Sequence, residues 1–237
     1  MFELPERYKV DVKIPMKDFV PRGIKPEWKK KIRDAMKEVE LLYQIAGEEI
    51  PSVINEEYRC EIIQVYDICL KNIKDAPFLA STYQGIIKSF CIIRFHDSVK
   101  EQFSFALKRL SQTEENQIVV TDSNMTEHFL IGLPDRNKRK FQELLSYQQI
   151  RNKTNKVNFY MELYTKQYMF QHKKAYAQID VMINKPIWYD EKKVRNLYAM
   201  IRQVVQKKEL VTACNSNSEK VAVNQEIKEL LGKLEEL

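Results

Sequence analysis

Asp67 stands in the apolar run Ile62-Ile63-Gln64-Val65-Tyr66-Asp67-Ile68-Cys69-Leu70, with Glu61 at its start. A carboxylate on a central strand is where a metal-dependent nuclease would hold a divalent ion, provided a second acid arrives on the neighbouring strand. The next strand-like run, Phe90-Cys91-Ile92-Ile93-Arg94-Phe95, brings an arginine and no acid. Asp67 is therefore expected in a buried ion pair or hydrogen bond rather than in a two-acid metal site. The three histidines, His96, His128 and His172, are not spaced as a pair on one helix face, nor do they stand beside a cysteine cluster, so no zinc site is expected. Five scattered glycines form no Gly-rich phosphate loop, and no Gly-x-Ser-x-Gly occurs. No cofactor and no metal are expected, and no residue is assigned a catalytic role.

The positive signal is charge. The net charge is +6, yet 136–175 holds ten lysines and arginines against two glutamates, a balance of +8 that leaves the remainder at −2. Lys138, Arg139, Lys140, Arg151, Lys153, Lys156, Lys166, Lys173 and Lys174 are interleaved there with Tyr147, Phe159, Tyr160, Tyr164, Tyr168, Phe170 and Tyr176. Cations meet phosphates and exposed aromatics stack on bases, so these nine cations are the candidate nucleic-acid contacts, to DNA or RNA. The competing reading is a solvated helix face over core tyrosines, and burial of the tyrosines against 194–205 would decide for it.

The elements that must position these residues read as follows. The segment 1–25, with Pro5, Pro15 and Pro21, is an arm with a short strand near 8–14. A helix opens at Pro26 and carries Trp28, Ile32, Ala35, Met36, Val39, Leu42 and Tyr43 at three- and four-residue steps until Gly47 closes it. Its opposite face, Lys29, Lys30, Arg33 and Lys37, reads as a solvated face before it reads as a binding surface. Strands follow at 59–71, 90–95, 102–110, 117–121 and 129–131, with a helix from Asp75 and Pro77 between the first two and a polar loop at 111–116. Everything after Gly132-Leu133-Pro134-Asp135 reads as helix, including one capped by Asp190. The expectation is an α+β fold: a core domain at 26–134 with a mainly antiparallel sheet and packed helices, then a basic helical region at 135–211.

A linker and last helix occupy 212–237, where Ile227, Leu230, Leu234 and Leu237 follow heptad spacing. This seam is the candidate partner-binding surface, to a second copy or another protein; docking onto its own domain is the competing view. The cysteines Cys60, Cys69, Cys91 and Cys214 lack Cys-x-x-Cys spacing and read as reduced residues. No apolar stretch is long enough to span a bilayer and no signal peptide is legible, so a cytoplasmic location and no membrane contact are expected.

Leu4-Pro5, the segment Ile14-Pro15-Met16-Lys17-Asp18-Phe19, the lysine-rich helix and the strand Ile63-Gln64-Val65-Tyr66-Asp67-Ile68-Cys69-Leu70-Lys71 together resemble the family called domain of unknown function 4391. The resemblance spans most of the chain. It implies no activity and no catalytic residues. It does imply a bacterial or archaeal origin and gene neighbours that are often helicases and DNA methyltransferases of restriction or antiphage loci. Two functions stand as expectations: a noncatalytic accessory subunit of a defence system whose basic helical half holds a partner protein, such as a helicase or methyltransferase, or nucleic acid; or a small metal-dependent nuclease or other nucleic-acid enzyme whose site is not recognisable.

Overall fold

In the computed structural model of the chain, which describes residues 1–114 and 117–237, the lysine-rich helix stops after ten residues. Strand β1 (Lys9–Lys13) and a single turn α1 (Met16–Phe19) precede it, and helix α2 is Pro26–Ala35. Met36 then takes ψ 146°, and the chain continues as strand β2 (Met36–Ile45). This corrects the long helix expected up to Gly47. Val39, Leu41, Tyr43 and Ile45 alternate as well as they step by four, and β-branched and aromatic side chains settle that ambiguity in favour of the sheet. Gly47 caps no helix; it turns the chain after β2 with φ 79°, in the left-handed region that glycine adopts without a Cβ clash.

A small ladder of β3 (Val53–Ile54) and β4 (Arg59–Cys60) leads into β5 (Ile63–Leu70), α3 (Ala76–Ile86), β6 (Phe90–His96), β7 (Lys100–Leu110), β8 (Ile118–Met125) and β9 (Phe129–Leu130). The polar loop expected over 111–116 reaches, at 115 and 116, outside the described residues. Among the described residues the main sheet has seven strands, in the order β1-β2-β5-β6-β7-β8 with β9 pairing β7. β5 and β6 are parallel, joined by the α3 crossover, and the other pairs are antiparallel. The fold is α+β with a mainly antiparallel sheet. The β6–β7 hairpin is held by Asp97, whose Oδ1 accepts from the N–H groups of Val99 (2.7 Å) and Lys100 (2.8 Å).

Each sheet face has its own cover. Ile32 and Ala35 of α2 and Leu79, Ala80 and Tyr83 of α3 pack with Tyr66, Ile68, Leu70, Ile93 and Phe95. On the other face Phe103 meets Phe2 at 5.4 Å and Phe141 at 5.5 Å between ring centroids, so helix α4 (Arg136–Leu144), which carries Phe141, is fastened to the sheet. Helix α5 (Lys156–Gln171) starts in the same unit: Tyr160 Oη donates to the Cys91 carbonyl (2.8 Å) and accepts from the Ala106 N–H (3.2 Å).

The chain accordingly divides into Met1–Tyr160 and Met161–Leu237. The division falls later than the expected break at 134, because the buried Phe141 and Tyr160 tie α4 and the start of α5 to the sheet. The expected N-terminal arm likewise contributes an edge strand and the buried Phe2. Beyond α5, the second unit is helical: α6 (Ile179–Asn184), α7 (Glu191–Ala213) and α8 (Asn217–Glu235). Asp190 caps α7 as expected, accepting from the Lys193 N–H at 3.1 Å.

Candidate functional site

Register places Asp67 between Glu40 on β2 and Arg94 on β6. Arg94 Nη1 donates to Asp67 Oδ1 at 3.0 Å, while His96 Nε2 lies 3.1 Å from Oδ2. Arg94 Nε donates in turn to Glu101 Oε2 at 2.6 Å, and Lys138 of α4 pairs with the other oxygen of Glu101. Glu101 is 1% exposed, so these two cations compensate an otherwise isolated buried charge. Burial pushes the Asp67 carboxyl up, but the His96 hydrogen bond and the Arg94 charge outweigh it and hold Asp67 below its ordinary value. His96 is raised for the reciprocal reason, the Asp67 hydrogen bond prevailing over burial.

Each Asp67 oxygen is engaged, one by the Arg94 guanidinium and one by the His96 ring. Among the described residues, no group of three or more His, Cys, Asp or Glu is placed to hold a metal ion. Glu61 turns to Arg59 instead (2.9 Å). Cys69 stands opposite His96 in register, and burial raises its thiol above the ordinary cysteine value. The sheet face is a charge-balanced brace. The ion pair expected at Asp67 is present, and its partner is the arginine in the apolar run 90–95.

The nine candidate phosphate contacts separate into groups. Lys156 and Lys166 are interior, which corrects their assignment as surface cations. Lys156 Nζ donates to the carbonyls of Gly47 (2.8 Å) and Ile50 (2.6 Å) and to Ser52 Oγ (3.1 Å), pinning the 47–52 loop. Lys166 pairs with the equally buried Glu162 one helical turn away (2.6 Å) and lies over the Trp188 ring. Lys138 is committed to Glu101, and Lys153 donates to the Ile150 carbonyl and lies over Tyr147. Arg151 is half-buried. Arg139, Lys140, Lys173 and Lys174 are exposed, as is Arg136, which was not among the nine. The interior lysines escaped sequence reasoning because their acceptors are backbone carbonyls and a helical neighbour, which leave no composition signal.

The interleaved aromatics are core, not stacking platforms. Phe159, Tyr160, Tyr164, Tyr168 and Tyr176 are buried, and Tyr164 and Tyr168 meet Tyr198 edge-on at 5.4 and 5.3 Å. Tyr147 and Phe170 are half-buried.

The C-terminal seam is also turned inward. Ser216 caps α8 with a capping box only three residues past the end of α7, and α8 folds back onto α7. Ile227 and Leu234 are buried, Leu230 and Leu237 half-buried, and Lys207 of α7 pairs with Glu226 of α8. Within the chain α8 packs on α7, the arrangement of the competing view. No helix among the described residues is long and apolar enough to cross a membrane.

A family model described as Domain of unknown function (DUF4391) matches residues 2–234. No curated protein and no solved structure matches the chain. The chain belongs to the DUF4391 family.

Proposed function

We propose that this DUF4391 protein is a noncatalytic accessory subunit that holds nucleic acid by its phosphates, working in the cytoplasm beside a helicase or DNA methyltransferase of a restriction or antiphage system. The observation that carries the reading is the outward surface of α4. Arg136 and Arg139 line an open depression of about 460 Å³ with Pro134, Asp135, Lys138 and Gln142, and Lys140 is exposed on the same helix. Two carboxylates share this surface with the cations. Asp135 is occupied with the N–H groups of Asn137 (2.8 Å) and Lys138 (3.0 Å), and Glu143 reaches Arg139 only at 3.6 Å. Phe141 anchors the helix to the sheet and Lys138 braces it through Glu101, so the open cations stand on a fixed support. The metal-dependent nuclease reading requires an acid free for a cation, and Asp67 is not such an acid.

Phosphate contacts release counterions, so affinity for a labelled duplex, followed by fluorescence anisotropy, should fall log-linearly with salt. Three contacts give a slope of roughly −3. Binding that ignores salt, or none at low salt, would remove the phosphate reading.

A further inference from the structure

The surface of α2 was expected to be solvated, with Trp28 turned into the core. Trp28 is instead 46% exposed. Its ring meets Phe78 at 5.3 Å and 63°, and Lys31 Nζ lies 4.1 Å over that same Phe78 ring, so the indole is held in place while nearly half of it faces solvent. Around it, 22–37 carries Arg22, Lys25, Lys29, Lys30, Lys31, Arg33 and Lys37 against Glu27 and Asp34, a balance of +5. Among the described residues none of these seven cations is held in an ion pair, in contrast to Lys138 and Lys166. Lys31 lies one turn after Trp28 on the helix, and Lys25 is the residue that precedes its first turn. Because α2 and α4 cover opposite faces of the sheet, this surface is separate from that of α4.

We propose that the α2 surface binds single-stranded nucleic acid, with Trp28 stacking on a base and Lys25, Lys29 and their neighbours meeting the flanking phosphates. A fixed, open aromatic among unpaired cations matches the two parts of a single strand, a π-face and a charged backbone. A duplex offers the charges but keeps its bases stacked. An acidic polypeptide offers charge without a regular flat partner, and a bilayer would need more apolar surface than one indole on a ten-residue helix. The inference stands on α2 alone and does not require the α4 reading.

The test uses intrinsic fluorescence of the full chain, whose only other tryptophan, Trp188, is fully buried. Titration with oligo(dT) at low salt should quench the solvent-exposed emission. Trp28→Ala should remove the quenching and weaken oligo(dT) binding by anisotropy about tenfold, with duplex binding unchanged. Lys25→Glu with Lys29→Glu, which leaves the Trp28–Phe78 contact in place, should weaken both quenching and affinity. An Arg139→Glu, Lys140→Glu variant should lower duplex binding and leave the oligo(dT) quenching intact, so the two surfaces fail independently. Absence of quenching at low salt, equal quenching by polyglutamate, or a blue shift on anionic vesicles without quenching by oligo(dT) would each overturn the proposal.

Discussion

Arg94 Nη1 lies 3.0 Å from Asp67 Oδ1 across the parallel ladder of β5 and β6, and the same guanidinium reaches Glu101 at 2.6 Å through Nε. One cation thus bridges two carboxylates that arrive from different strands. Removing it strands Glu101, which is nearly inaccessible to water, with Lys138 as its remaining counterion. Arg94→Ala should therefore destabilise the fold by about 3 kcal/mol or more, read from urea unfolding. Asp67→Asn should lower the melting temperature and leave oligonucleotide binding unchanged; loss of function at an unchanged melting temperature would restore a chemical role to Asp67.

The His96–Asp67 contact has a pH signature. His96 is raised, so its contribution is fully present below the ordinary histidine value of about 6.5 and is lost as pH climbs through the higher folded value. Asp67 is depressed, so its contribution holds above about 3.9 and is lost as pH falls through the lower folded value. His172, lowered by burial, carries the opposite sign to His96 over the neutral range. Comparison with His96→Asn cancels that term: the melting-temperature gap between wild type and variant should be widest below the ordinary histidine value of about 6.5 and should narrow as pH climbs through the raised folded value. A gap constant across that range would contradict the pairing.

Lys156 is a structural cation. Its ammonium satisfies three acceptors in the 47–52 loop, and burial lowers its pKa. Lys156→Ala should cost about 2 to 4 kcal/mol by leaving those acceptors unmet. Its duplex affinity, measured below the unfolding transition, should equal that of wild type.

Leu234 is fully buried where α8 folds back on α7. Leu234→Ala should destabilise by about 3 kcal/mol without changing the mass seen in light scattering. A mass that halves on substitution would show that the seam joins two copies.

Legibility in the sequence followed the range of the interactions. Strands β5, β6 and β7 were readable because their apolar and β-branched runs are local, and the Asp190 cap needs only three residues of context. The end of α2 was not readable: Val39 and Tyr43 fit both periods, and pairing with Ile68 and Val65 of β5, far along the chain, makes the choice. The basic segment was visible as charge, but whether a lysine faces water depends on distant acceptors: Gly47 for Lys156, Glu101 for Lys138. Trp28 was misplaced for a related reason. It shares the stripe of Ile32 and Ala35, yet it sits one turn earlier, where Phe78 covers only part of the ring.

The most direct measurement is duplex binding by fluorescence anisotropy at low salt, comparing wild type with the triple variant Arg136→Glu, Arg139→Glu, Lys140→Glu. All three side chains are exposed, so the fold should be retained, as circular dichroism and melting would confirm. The account predicts that wild type binds duplexes of unrelated sequence with similar affinity and that the triple variant loses about tenfold or more on every one. A triple variant that binds as tightly as wild type, or a wild type that binds no duplex, would contradict it.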